Sequence, residues 1–440
     1  MTAIASNDFD KAEERRQNLL RIRAIVGASS GNLVEWYDFY TYAFTSIYFA
    51  ASFSPKGASE TTQLLYAAVI FAIGFFMRPL GSWLFGWIAD TKGRKVSMVS
   101  SVLLMCAGSL MIACLPTVDD IGMAAAALML IARIAQGLSV GGEYGTAATY
   151  MSEVASPRNR GFLSSFQYVT LIGGQLLAVL VLFVLQQLLT VDQLKAWGWR
   201  IPFAIGAVGA IVAMLLRRTL QETASAEAMK HKETGSLRGL LPYTKSVLIT
   251  LGLTMGGSLY FYAFSTYMQK YLVNTAKMPA TTVTAVMTPV LIVFMLVQPL
   301  FGSLSDRIGR KRNLLLFAGL GCLGVVPLYS LLAGVTSPLA AFALITVGLL
   351  FGSFYTSVSG VAKAELFPPE VRALGVGLPY AIANAIFGGT AEAVALQMKA
   401  SGIEGVFPWY VAAMVFVSLL AALWMPDTRK HGFLDGDGKI

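Results

Sequence analysis

The sequence predicts an all-α polytopic membrane protein with twelve transmembrane helices in two pseudo-symmetric six-helix bundles. Three observations carry this expectation. Of 440 residues, 56% are hydrophobic and only 13% are charged. A soluble domain carries roughly 25% charged residues, so too little charge is present to cover a water-facing surface. Long apolar runs recur along the chain, each near the roughly 20 residues that a helix needs to cross a bilayer. Finally, the pattern G-x-x-x-D-x-x-G-R-K occurs twice, at Gly86–Lys95 and at Gly302–Lys311. A second echo follows each copy: Glu153, Pro157 and Arg160, then Glu365, Pro369 and Arg372. Motifs that recur in one order at nearly one offset mark two copies of a single unit.

Residues 1–23 are polar, carry five basic residues and read as a cytoplasmic, partly helical lead-in. The first apolar run is far too long for the h-region of a signal peptide, so no cleavable signal is expected. Twelve runs follow, at about 24–50, 62–89, 96–115, 121–149, 161–190, 199–217, 246–273, 281–304, 313–334, 338–363, 373–399 and 405–425. The polar stretch 218–245 divides them six and six. The expected domains are a segment 1–23, a bundle 24–217, a central loop 218–245, a bundle 246–425 and a tail 426–440.

With both termini on one side, 25 of the 33 lysines and arginines fall in segments on that side and five on the other. This positive-inside asymmetry predicts cytoplasmic termini, and cytoplasmic positions for both decapeptides. Each decapeptide reads as a tight turn between two helices, its glycines permitting sharp backbone angles and close helix contact.

Several function classes are excluded. The net charge of +9 is spread over short loops rather than gathered on one face, so no nucleic-acid partner is expected. Cys106, Cys114 and Cys322 lie inside apolar runs as packing residues. His231 and His431 fall in the central loop and the tail, away from any cluster. No Ser/His/Asp set, metal spacing or phosphate loop is present, so neither an enzyme nor a cofactor or metal is expected. With only fourteen residues after Pro426, no added signalling domain is expected.

Charges inside the apolar runs are the informative ones. An ionised residue at mid-membrane costs roughly 2.5–3.5 kcal/mol on insertion scales and normally faces a cavity or a partner. Glu35 and Asp38 share one face of the first helix with Asn32 and Tyr42. Neighbouring carboxylates in low dielectric raise each other's proton affinity, which makes Glu35 and Asp38, together with Glu143, proton-coupling candidates. The rival reading is a static ion pair with Arg78 or Arg133.

Arg78 and Arg133 are also the natural anchors for an anion, because a guanidinium grips a carboxylate through two parallel hydrogen bonds. Gln136 lies one turn from Arg133 on the same face. Gln167, Gln175, Tyr262, Tyr267, Lys270 and Asn384 complete the substrate candidates, against the alternative that they only bond neighbouring helices. Lys270 could equally snorkel to water. Asp90, Arg94, Glu153 and Arg160, with Asp306, Arg310, Glu365 and Arg372, are expected to bridge the two halves as a cytoplasmic gate.

Twelve helices in two halves, with the decapeptide in the second–third and eighth–ninth loops, resemble the major facilitator superfamily. Arg133-x-x-Gln136-Gly137 followed by Gly141-Gly142-Glu143 supports this. The stretches GASSGNLVEWYDFYTY (27–42), GLSVGGEYGTAATYMSEV (137–154), SFQYVTLIGGQLLA (165–178), WGWRIPFAIGA (197–207), TYMQKYLVNTA (266–276) and VRALGVGLPYAIANAIFGG (371–389) are similar to its metabolite:proton symporter subgroup. Thr91 departs from the family's loop pattern, which usually has a basic residue there; the second copy keeps Arg307. The resemblance implies proton-coupled import of 2-oxoglutarate or a close dicarboxylate across a bacterial inner membrane, by a protein expected to act as a monomer in lipid. Citrate, or a zwitterionic osmolyte such as proline or betaine, is the alternative substrate, because the same subgroup includes both.

Overall fold

Hydrocarbon offers no water to backbone N–H and C=O groups, so an apolar run closes its hydrogen bonds within itself as a helix. The computed structural model describes residues 2–225, 227, 229 and 234–435, and contains no strand among them; His231 lies outside them. Twelve long helices result: α1 (Thr2–Phe49), α2 (Val69–Lys92), α3 (Arg94–Cys114), α4 (Ala124–Val154), α5 (Arg160–Leu188), α6 (Arg200–Arg218), α7 (Arg238–Asn274), α8 (Thr282–Ile308), α9 (Arg310–Ala333), α10 (Pro338–Ala364), α11 (Arg372–Ala400) and α12 (Glu404–Trp424).

Helices α2–α12 reach mean hydropathies of 1.2 to 2.4 over a spanning window. Helix α1 stands outside that set because its middle carries Asn32, Glu35, Asp38 and three tyrosines. It is buried from the other side, by protein rather than lipid: Glu35, Tyr37, Asp38 and Tyr42 are all at most 2% exposed. Leucines such as Leu323, Leu339 and Leu188 instead point outward, more than 70% exposed, as an outer surface solvated by lipid requires.

The pairing of helices makes the duplication visible. Helix α1 packs on α5 and α6, α2 on α4, and α3 on α4 and α6. The same scheme recurs as α7 on α11 and α12, α8 on α10, and α9 on α10 and α12. The halves meet chiefly through α2 with α11 and α5 with α8, pairs that exchange under the same two-fold relation, and through α4 with α10 and α11. Helices α7 and α11 have 78% and 67% of their spanning windows buried, against 39–44% for most of the others. They are therefore interior elements.

Two boundaries differ from the sequence expectation. Helix α1 begins at Thr2, so the lead-in is continuous with the first span. Helix α7 opens with a tight turn at Arg238–Tyr243 inside the polar stretch. The chain just before that turn is tied to the second half, where Gly235 N–H donates to Glu370 O at 3.0 Å, and Leu240 within the turn is buried.

Helix α2 is broken at Met77, just before Pro79. Proline lacks the N–H that would continue the ladder, and the break sets Arg78 at the bend. Opposite, a methyl group on Gly137 or Gly141 would overlap the backbone of Gly74 or Arg78. Glycine thus brings α4 into backbone contact with α2 at that bend.

Candidate functional site

The two glycines, the aspartate and the arginine of the repeated decapeptide each have a structural task, performed twice. Its first glycine lies against the other half: Gly86 faces the backbone of Leu374 on α11, and Gly302 faces Gly161 on α5. Its aspartate crosses that contact to accept from the first turn of the facing helix. Asp90 takes the N–H groups of Ala373 and Leu374 at 3.1 and 3.0 Å. Asp306 takes those of Gly161 and Phe162 at 2.8 and 3.0 Å. An anion there satisfies otherwise orphaned donors at the positive end of the helix dipole. The second glycine makes the turn, with φ of 105° at Gly93 and 95° at Gly309, a conformation other residues reach only with strain.

The arginine then ties the turn down. Arg94 holds Asp90 at 3.1 Å and Glu153 at 3.3 Å; Arg310 holds Asp306 at 2.9 Å and Glu365 at 3.4 Å. Glu153 also accepts from Arg372 of the second half at 2.7 Å. The glutamate and arginine of each echo therefore do not pair with each other. Glu153 crosses to Arg372, whereas Arg160 pairs with Asp435 in the tail, and Glu365 accepts from Thr428. The tail occupies the place that a fully symmetric Glu365–Arg160 bridge would take.

Away from this face, a cavity of about 570 Å³ lies between α1, α2, α5, α7 and α11. Tyr262, Tyr267, Lys270 and Gln175 line it. Its rim is wet: Lys270, half exposed, pairs there with Glu392. Tyr267 donates to Glu404 at 3.3 Å. The cavity thus opens on the side opposite the decapeptides. Helices α7 and α11 each insert a π-helical turn beside it, at Ala263–Tyr267 and Asn384–Gly388; such turns often mark functional positions. Asn384 is buried, with Nδ2 unpartnered.

The two arginines lie behind the cavity's aromatic wall. Phe39 and Phe75 belong both to the lining and to the cage around Arg78, whose guanidinium carbon stands 4.6 and 4.0 Å from their ring centres and 5.2 Å from that of Trp36. Arg78 is 3% exposed, its Nη2 has no partner, and among the described residues it forms no ion pair. Arg133 stands 4.4 Å from the Tyr42 ring centre and donates to Gln136 at 2.7 Å, leaving Nε unpartnered. Buried cations left without carboxylates are costly, and are expected where an anion binds.

The static pairing of Glu35 or Asp38 with these arginines does not occur. Glu35 accepts from Ser139 at 2.7 Å, and its other oxygen is unpartnered. Asp38 accepts from Ser109, which also accepts from Gln136 at 3.0 Å. A polar chain therefore runs Arg133–Gln136–Ser109–Asp38. Glu143 sits differently: Arg217 holds it from two nitrogens and also donates to the carbonyls of Met98 and Ala28 at 2.8 and 2.7 Å. Gln167 braces the interior by donating to Tyr144 O at 3.3 Å, and Asn32 donates to Gln167 O at 2.7 Å.

Two buried cations escaped the sequence reading. Arg217 and Lys363 fall at the ends of apolar runs and count there as loop charges, yet both are 0% exposed. A small pocket flanked by Asn32, Glu35, Arg78, Glu143, Tyr144 and Tyr380 lies between the carboxylate cluster and the second half.

The chain matches the sugar (and other) transporter family over residues 24–225 and again over 217–435. It is 58% identical over 424 residues to an alpha-ketoglutarate permease of Escherichia coli (strain K12), covering 96% of this chain and 97% of that one. It is 31% identical over 432 residues to a citrate-proton symporter of Salmonella typhi, covering 94% and 96%. The fold is that of the solved proton:xylose symporter bound to 6-bromo-6-deoxy-D-glucose, at a TM-score of 0.73 and 19% identity over 93% of this chain and 96% of that one. With the duplicated bundle and its motif, these likenesses make the chain a member of the sugar (and other) transporter family within the major facilitator superfamily, and a multi-pass membrane transporter.

Proposed function

We propose that the protein imports 2-oxoglutarate, or a closely related dicarboxylate, together with protons across a bacterial inner membrane, by alternating access. The observation that carries this reading is Arg78: a buried guanidinium with no carboxylate of its own, caged by rings that also line the cavity. The permease relative, 58% identical over nearly the whole chain, supports the substrate class. The excess of lysine and arginine on the decapeptide side supports cytoplasmic termini and a cytoplasmic gate, in a protein that works as a monomer in lipid.

Substrate enters the open cavity, and its carboxylates displace the rings from Arg78 and then Arg133, with Gln136, Gln167, Gln175, Tyr262, Tyr267, Lys270 and Asn384 as further contacts. Glu35 and Asp38 take the protons; Glu143, held by Arg217, fixes the helices around them. Coupling answers an energetic need, because bringing a dianion into a negative interior costs about 2 × 2.3 kcal/mol per 100 mV. Separation of the Asp90, Asp306 and Glu153–Arg372 bridges then opens the cytoplasmic face as the halves rock.

The test is uptake of labelled 2-oxoglutarate by proteoliposomes under an inward proton gradient, with succinate, citrate and proline as competitors. The proposal expects gradient-dependent uptake that succinate reduces and proline does not. Gradient-driven uptake of citrate or proline, with none of 2-oxoglutarate, would overturn the substrate assignment.

A further inference from the structure

Lys363 sits one residue from the end of α10, which terminates at Ala364 on the decapeptide side. A lysine so placed ordinarily snorkels outward to water. This one turns back. Its ammonium donates to Ser359 Oγ at 2.8 Å and to the hydroxyls of Tyr355 and Tyr144 at 3.1 and 3.2 Å, contacts one and two turns back along its own helix and across to α4. It also stands 4.6 Å from the Tyr380 ring centre. The side chain is 0% exposed and forms no ion pair among the described residues. A buried cation without a counter-ion costs stability, and nothing in its surroundings repays that cost with negative charge.

Its place in the molecule suggests what does. Tyr144 of α4 and Tyr380 of α11 stack across the two halves, their ring centres 3.4 Å apart and their planes 8° from parallel. The pocket beside Arg78 ends on these two rings, and Lys363 contacts both of them. The rings therefore lie between a guanidinium of the first half and an ammonium of the second, and any rocking of the halves must unstack them.

We propose that Lys363 is a second anion site, to which the distal carboxylate of a dianion passes when the Tyr144–Tyr380 stack parts. Arg78 holds one carboxylate in the first half and Lys363 the other in the second, so the substrate itself bridges the halves, and a second negative charge becomes a requirement for transport. This rests on the dicarboxylate reading given under the proposed function.

The test compares binding of 2-oxoglutarate and of 2-oxopentanoate, which lacks the distal carboxylate, to purified protein, with thermal stability measured alongside. Wild type should prefer the dianion. Lys363→Met, a side chain of similar length without charge, should weaken 2-oxoglutarate about tenfold or more, leave 2-oxopentanoate unchanged, and melt no lower than wild type. Lys363→Arg, which restores the charge, should recover part of the preference and serves if the methionine variant does not fold. Equal weakening of both ligands, or a lower melting temperature with the preference intact, would mean a structural lysine and overturn the proposal. A wild type that binds neither dianion nor monoanion would instead overturn the dicarboxylate reading on which it stands, and that outcome is visible without any variant.

Discussion

In the proposed mechanism Arg78 and Asp38 are the two ends of the chemistry. Arg78 has three aromatic rings where a carboxylate should be; a desolvated cation–π contact contributes about 2 kcal/mol, enough to park the charge but less than a bidentate carboxylate would give. Arg78→Ala should therefore raise the KM for 2-oxoglutarate about ten- to a hundredfold, the equivalent of roughly 1.5–3 kcal/mol for a charged hydrogen bond, and Arg78→Lys should fall between. On the proton side, Glu35 and Asp38 each keep one oxygen unpartnered. Glu35→Gln or Asp38→Asn should abolish concentrative uptake while substrate exchange across the membrane survives, which counterflow in proteoliposomes measures. Arg78, Glu35 and Asp38 were legible in the sequence because a charge inside an apolar run has no ordinary reason to be there. Arg217 and Lys363 were not. They stand at the ends of runs, where a basic residue reads as a loop charge, and only the inward course of their side chains distinguishes them.

Among the elements, the decapeptide turn carries the most consequence for its length. Its recurrence was plain from the sequence, and the positive φ at Gly93 and Gly309 follows from the tight turn it implies. The task of its aspartate was not legible, because the groups that Asp90 caps lie at Ala373 and Leu374, in the other half of the chain. Symmetry makes a sharp prediction here. Asp90→Asn and Asp306→Asn should each weaken closure of the decapeptide face by a similar amount, about 1.5–3 kcal/mol, and each should slow net uptake. A large effect of one with none of the other would contradict the equivalence of the two caps. Helix α1 offers a second lesson in reading elements: its own hydropathy is lowered by Asn32, Glu35, Asp38 and three tyrosines, and burial by α5 and α6 makes up for them.

At the scale of the whole molecule, the halves are pressed together at the decapeptide face and parted around the cavity on the other. The repeat foretold two like bundles, and the exchange of α2–α11 with α5–α8 bears this out. The echo residues are expected to bridge the two halves, and here the symmetry breaks: Arg372 reaches Glu153 of the other half at 2.7 Å, while Arg160 is taken by Asp435 of the tail. Local sequence spacing cannot reveal a partner supplied by a distant segment. Spin labels at Lys92 and Arg307, exposed positions one on each decapeptide, should report the state of this face. Arg372→Ala should lengthen the distance between them relative to wild type; an unchanged distance would show that the Glu153–Arg372 bridge does not hold the face shut.

The most direct test of proton-coupled dicarboxylate import is the steady-state accumulation ratio of 2-oxoglutarate in proteoliposomes, measured against the size of the imposed proton gradient. The account predicts a ratio above one that climbs with the gradient, collapses with a protonophore, and stays at one for Glu35→Gln combined with Asp38→Asn. A wild-type ratio that remains at one whatever the gradient would mean that substrate moves without protons, and would contradict it.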